Sequence, residues 1–309
     1  MKKENNIRVE MVRMEGDAAP FVQVDYMDKD AQEHTGLMLL DSGSTANVLS
    51  PQMADCIGEL CKLEDEATPI YSIAQEVMMA DQVRFSFAFG GKQFHDTFFV
   101  SAQPLPIHVK GMNVVGILGT RFLQQHCLVI DYSDYTLHTS EVSPQNLSIS
   151  DCDFFFPMEI GLKFYDVPVL SVKQNGVELV TMVDTGSTSN MIANKALVDN
   201  DFKYKRLNSK DVIMGITGQV DVENARVWFK MLSLDGDDVS ELSRCARFKI
   251  LPYSVYTLPE GSCDTNGEQL PPIEALIGAP FMANEGWALD FDAKIIYKRK
   301  RMECYKEAV

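Results

Sequence analysis

The chain has 309 residues, with 28 Lys and Arg against 44 Asp and Glu, a net charge of −16. That length holds one large domain or two of ordinary size. The acidic balance argues against a nucleic-acid partner and against an anionic membrane surface, and a composition 46% hydrophobic and 23% charged excludes disorder and a fibrous class.

In chain order, the start Met1-Lys2-Lys3-Glu4 is basic, but no apolar stretch follows it. The expected location is the cytoplasm, or the periplasm or exterior if a leader has been removed. No apolar run is long enough for a spanning helix. Phe21-Val22-Gln23-Val24-Asp25-Tyr26 alternates as a strand and leads into Met38-Leu39-Leu40-Asp41-Ser42-Gly43-Ser44-Thr45. A helix is predicted from Ser50 to Cys61, with Ser50 as N-cap and Pro51 in the first helical position. Val83 to Phe89 alternates again. Ile117-Leu118-Gly119-Thr120-Arg121-Phe122-Leu123 follows, then Val129-Ile130-Asp131-Tyr132.

Residues 141–150 are polar and contain Pro144, which makes them the predicted linker between domains at 1–140 and 151–309. Beyond it, Pro168 to Val172 reads as a strand, and Asn175-Gly176 as a hairpin turn. Thr181-Met182-Val183-Asp184-Thr185-Gly186-Ser187-Thr188 repeats the first Asp motif 143 positions on (41 to 184). Leu276-Ile277-Gly278-Ala279-Pro280-Phe281-Met282 repeats the hydrophobic-hydrophobic-Gly motif, and in both copies an Asp comes 12 residues after that Gly (119 to 131, 278 to 290). Ile70 to Val77 also matches Ile213 to Val220 at the same offset, and a hairpin with a mobile tip fits each copy. Leu258 to Pro272 is read as a surface loop. A period this long means two copies of one domain rather than a solenoid.

One Asp-Ser-Gly turn is a weak signal, since such turns occur for structural reasons. Two of them, on two copies of one domain, can meet across a pseudo-twofold axis. Carboxylates in contact cannot both ionise without a like-charge penalty, so the pair shares a proton and holds one acid and one base at once. With a water between them, such a pair can hydrolyse an amide without a covalent intermediate.

These motifs resemble those of aspartic proteases of the pepsin and retropepsin clan, over nearly the whole chain from about Phe21 to Tyr297. The short lobes and the Ile-Leu-Gly-x-x-Phe-Leu pattern are similar to a retropepsin domain duplicated in one chain, as in bacterial aspartyl proteases assigned from sequence. The resemblance implies an all-β, bilobal acid-protease fold, with two pseudo-twofold-related, β-barrel-like lobes and a central cleft. It implies Asp41 and Asp184 as the catalytic dyad. Ser42 and Thr185 would hydrogen-bond to the opposite loop. Ser44 and Ser187 would hydrogen-bond the outer carboxylate oxygens, and Gly43 and Gly186 would complete the loops. The hydrophobic-hydrophobic-Gly segments would pack beneath them. Tyr71 and Ser72 in the first copy, and Gly215, Ile216, Thr217 and Gly218 in the second, are the flap candidates for binding substrate. Twenty residues precede Phe21, too few for a pepsin-like inhibitory prosegment.

No cofactor or metal is implied. The five His all lie in the first copy without metal-binding spacing, and no G-x-S-x-G or Gly-rich phosphate loop is present. Asp131 and Asp290 are read as structural. Lys298 to Arg301 is read as a solvated strand end. The seven Cys, with no C-x-x-C pair, are read as mostly free, buried thiols. The expected partner is a peptide or protein substrate, and the expected state is a monomer. The rival readings are a catalytically silent peptide-binding module on the same fold, and accidental turns in an unrelated β-protein.

Overall fold

The computed structural model describes residues 6–13, 18–57, 68–71, 77–101, 104–105, 111, 113–141, 152–158, 167–174, 176–200, 202–214, 219–235, 238–256 and 269–299. The predicted linker lies outside them except for Glu141, as do most of the predicted loop from Leu258 and the flap candidates Ser72 and Gly215 to Gly218.

The first half runs β1 (Arg8–Glu10), β2 (Phe21–Met27), β3 (Glu33–Asp41), β4 (Val48–Leu49), α1 (Pro51–Ile57), β5 (Thr68–Tyr71), β6 (Val77–Ala80), β7 (Gln82–Phe89), β8 (Lys92–Val100), β9 (Val114–Gly119), α2 (Thr120–Gln125), β10 (Leu128–Asp131) and β11 (Thr136–Thr139). The second runs β12 (Cys152–Pro157), β13 (Val169–Gln174), β14 (Val177–Asp184), β15 (Asn190–Ala193), α3 (Asn194–Asp199), β16 (Tyr204–Met214), β17 (Gln219–Asp235), β18 (Asp238–Leu251), β19 (Ala275–Gly278), α4 (Ala279–Glu285), β20 (Ala288–Asp290) and β21 (Ile295–Arg299).

The two halves repeat one topology. The first closes a barrel in the order β2-β3-β9-β4-β8-β7; the second places β13-β14-β19-β15-β18-β17 in the same order, with β13 also pairing β17. Alternation builds the walls: Val83, Phe85, Phe87 and Phe89 of β7 point inward while Arg84 is exposed. The strands that end in Asp41 and Asp184 are different. Leu37 to Leu40 are all buried, because one face of β3 fills the barrel and the other packs on Phe21, Val48 and Ile117. That is why these strands read as continuous apolar runs.

A six-stranded sheet, β1-β11-β10-β20-β21-β12, joins the halves. Its centre is the antiparallel register Val129↔Asp290, Ile130↔Leu289, Asp131↔Ala288, which reads the same from either copy. Asp131 and Asp290 sit here, both buried. Each accepts a backbone N–H from two residues on, Ser133 at 2.8 Å and Asp292 at 3.0 Å. They shape turns in this sheet, away from the Asp41 and Asp184 loops.

The helix after Ser50 is capped as read, with Met53 N–H donating to Ser50 Oγ at 3.2 Å. It ends at Ile57 in the described chain. β13 and β14 form the hairpin at Gly176, whose φ is +82°. β5–β6 and β16–β17 pair as the hairpins expected around Ile70 to Val77 and Ile213 to Val220, and their tips lie outside the described residues. Cys56 and Cys245 are free, and they are exposed rather than buried. Cys245 alternates outward on β18, and Cys56 lies on the outer side of α1.

Candidate active site

Asp41 and Asp184 end parallel-paired strands. β3 pairs β9 with Asp41 opposite Gly119, and β14 pairs β19 with Asp184 opposite Gly278. The hydrophobic-hydrophobic-Gly segments are therefore neighbours of the Asp strands in the same sheet, and their glycines lie against the Asp loops. Each Gly is there for space. A Cβ on Gly119 would lie 2.4 Å from the Ala46 carbonyl oxygen, and one on Gly278 would lie 2.6 Å from that of Ser189.

The two loops interlock. Ser42 N–H donates to Thr185 Oγ1 at 2.9 Å, and Thr185 N–H donates to Ser42 Oγ at 2.9 Å. Each hydroxyl then donates across the axis, Ser42 Oγ to Val183 O at 2.7 Å and Thr185 Oγ1 to Leu40 O at 2.6 Å. Both side chains are fully buried. In such a place a missing partner costs about 1–3 kcal/mol per group, so the four bonds fix the loops relative to each other.

The lock brings each carboxyl over the other loop's glycine. A Cβ on Gly43 would lie 2.4 Å from Cγ of Asp184, and one on Gly186 would lie 2.5 Å from Cγ of Asp41. Neither glycine has a positive φ. What the motif needs at its third position is close approach by the partner loop, which a turn argument made within one loop misses.

The carboxyls hydrogen-bond each other. Gly43 N–H donates to Asp41 Oδ1 at 2.8 Å; Gly186 and Ser187 N–H donate to Asp184 Oδ1 at 2.9 and 3.1 Å. Both groups are half-buried. Burial pushes the Asp41 carboxyl up, while its bond from Asp184 and the loop amides pull it down. Burial together with the neighbouring Asp41 charge pushes Asp184 well above the usual carboxylate range. Two buried carboxyls in contact cannot both ionise cheaply, so the pair shares one proton.

The expectation for Ser44 and Ser187 is corrected. Their hydroxyls donate to Ala46 O and Ser189 O, each at 2.8 Å, instead of to the carboxylates. The loop turns back two residues later and offers a nearer carbonyl. The amides of these loops serve the carboxylates instead.

A matched pair that sequence reasoning missed holds the loops from outside. Asn47 Oδ1 accepts Gly119 N–H at 3.0 Å, and Asn190 Oδ1 accepts Gly278 N–H at 2.9 Å. Asn47 Nδ2 donates to Asp96 Oδ2 at 3.1 Å, and Asn190 Nδ2 to Arg247 O at 3.0 Å. Both lie six residues after their Asp, at the same 143-residue offset. The offset was the signal, and Asn passes for an ordinary turn former.

Of the flap candidates, Tyr71 ends β5 opposite Val77. Among the described residues no cluster of three or more side chains could hold a metal.

No family model matches the chain, and no curated protein does. Solved structures do. The aspartic proteinase from Irpex lacteus is 10% identical with a TM-score of 0.51, covering 98% of this chain and 100% of that one. Basic 7S globulin from soybean is 9% identical with a TM-score of 0.50, covering 96% and 97%. The chain has the all-β, bilobal acid-protease fold with a central cleft.

Proposed function

We propose that the chain is an aspartic endopeptidase whose catalytic dyad is Asp41 and Asp184. The observation that carries this reading is the pair of interlocked loops, with the Asp41 and Asp184 carboxyls set against each other and both raised by burial. A water held between them would lose a proton to Asp41 as its oxygen attacks the peptide carbonyl carbon. Asp184 would give its proton to the carbonyl oxygen. The tetrahedral adduct then collapses as a proton passes from the dyad to the amide nitrogen and the C–N bond breaks. No covalent enzyme intermediate and no cofactor takes part.

An extended peptide would lie across the cleft, its backbone hydrogen-bonding to the β5–β6 and β16–β17 hairpins. A single chain supplies both carboxyls, so the proposed working unit is a monomer. The motifs repeated in the same order, together with the matched bonds of the two loops, support a retropepsin-like domain duplicated in the chain. The fold is shared by a proteinase and a globulin, so a silent peptide-binding module is the second reading. The intact dyad favours cutting.

The test is cleavage of an unfolded protein from about pH 3 to about pH 8 by the wild type, Asp41→Asn and Asp184→Asn. Activity lost in both variants supports the dyad. An inert wild type that still retains peptides supports the binding module.

A further inference from the structure

The outer face of the second barrel carries an arrangement that folding does not require. Lys205 of β16, Arg226 of β17 and Arg247 of β18 stand directly opposite one another on adjacent strands, all exposed. Like charges directly opposite in a sheet are destabilising. Among the described residues, no carboxylate pairs with any of the three, although nearby cations do have partners: Lys249 with Asp211 at 3.1 Å and Lys173 with Glu178 at 3.2 Å. Asp211 is bound to Lys249 and also feels the Arg247 charge, but it is one carboxylate for two cations, so the row keeps an excess of positive charge.

The row is also built. Arg247 Nε donates to Oδ1 of the fully buried Asn224 at 3.1 Å, and its Nη2 to Ser209 Oγ at 3.4 Å. Ser209 lies in the irregularity of β16 between Leu207 and Lys210, where the register shifts. The guanidinium is thereby held in place with donors to spare. Next along β17 comes Trp228, half-buried, with Lys203 Nζ 5.1 Å from its ring centroid. Adjacent strands stand about 4.8 Å apart, so the row spans on the order of 10 Å, the reach of a few residues of extended peptide.

The row is tied to the site. The carbonyl of Arg247 accepts the Asn190 amide at 3.0 Å, and Asn190 holds Gly278 beside the Asp184 loop. β16 and β17 also lead to the second flap candidates.

We propose that Lys205, Arg226 and Arg247 form a docking surface, outside the cleft, for an acidic segment of the polypeptide substrate. The proposal rests on the peptidase reading for the word substrate. Charge complementarity names the occupant: a carboxylate-rich peptide meets three exposed cations in a row and an aromatic ring. A longer polyphosphate would extend over the surrounding surface of a molecule with net charge −16.

The chain has two Trp, and Trp287 is fully buried, so changes in emission report Trp228. Titration with an oligoglutamate peptide should change that emission saturably, and more weakly as salt rises. In Lys205→Gln/Arg226→Gln the affinity should fall about tenfold. No saturable binding by the wild type, or equal binding by the variant, overturns the proposal. So does tighter binding of a DNA oligonucleotide of equal charge, which would assign the face to nucleic acid. In a second arm, peptide substrates with acidic and neutral tails are compared. The variant should raise KM for the acidic-tailed peptide alone and leave kcat unchanged; an unchanged KM overturns docking while leaving the peptidase reading intact. If neither peptide is cut, the peptidase reading fails and the emission titration still decides docking.

Discussion

The two Asp loops follow one hydrogen-bond plan in different surroundings. Each has a hydroxyl crossing to the other, a glycine under the opposite carboxyl, and an Asn clasping the glycine of the neighbouring strand. Around the first loop, Thr120 Oγ1 adds a bond to Ser42 O at 2.8 Å, where the second copy has Ala279 and no hydroxyl. In the first copy the hairpin strand β6 ends before Asp81 and β7 begins after it. In the second copy the equivalent β17 runs unbroken through the buried Asn224. The first half carries 10 basic residues in its 150 and the second 18 in its 159, among them the row on β16 to β18. The comparison teaches that the two loops share a bonding plan but not their surroundings. The like-charge penalty falls on the pair, and both carboxyls are raised by burial.

The largest way to break the symmetry is to remove one carboxyl. Asp41→Asn and Asp184→Asn should each lower turnover of an unfolded protein by about 10⁴-fold, even though the loops around them stay the same. Steady-state rates check this.

Gly43→Ala and Gly186→Ala come next. Each added methyl would overlap the opposite carboxyl, so we expect a loss of about 3 kcal/mol in unfolding free energy, together with activity. Denaturant melts and turnover test both. A neutral Gly43→Ala would show that the loops stand further apart than described.

The cross-loop lock can be broken on one side. Thr185→Val leaves Ser42 N–H and Leu40 O unpaired in a buried place, a cost of about 2–3 kcal/mol. Ser42→Thr copies the second loop into the first and should keep every bond, costing under about 1 kcal/mol. Equal effects from the two changes would mean that packing, not the hydroxyls, holds the loops.

Stability should also sense the dyad's charge. Asp184 titrates higher in the folded than in the unfolded chain, so its ionised form is disfavoured in the fold. Its contribution is full below the unfolded carboxyl range and is lost as pH rises through the raised folded value. Asp184→Asn should therefore melt higher than the wild type at pH above that value, with the gap closing as pH falls. A gap that is constant with pH would contradict a shared proton.

The smallest change sharpens the comparison. Thr120→Ala gives the first copy the second's surroundings, at about 1 kcal/mol, and should leave the pH profile of any hydrolysis unmoved.

The sequence made the Asp loops and the barrel strands legible because the same motifs recur in the same order in both halves. It also contained Asn47 and Asn190 at the offset of the Asp loops, but their role depends on a glycine amide far along the chain. Ser44 and Ser187 were misread because hydroxyl-to-carboxylate bonding was carried over from a resemblance, while the local turn offers Ala46 O and Ser189 O. The six-stranded sheet was hidden for a related reason. The pairing of Ile130 with Leu289 leaves no local pattern, since both are simply apolar strand residues. The Lys205, Arg226 and Arg247 row could not be read either, because it exists only once the register of three strands is known.

The measurement that bears most directly on the account is the pH dependence of kcat/KM for cleavage of one peptide bond by the wild type. A dyad that works with one proton gives a bell, rising as the first carboxyl ionises and falling as the second does. A single-limbed profile, or a bell that persists in Asp41→Asn or Asp184→Asn, would contradict it.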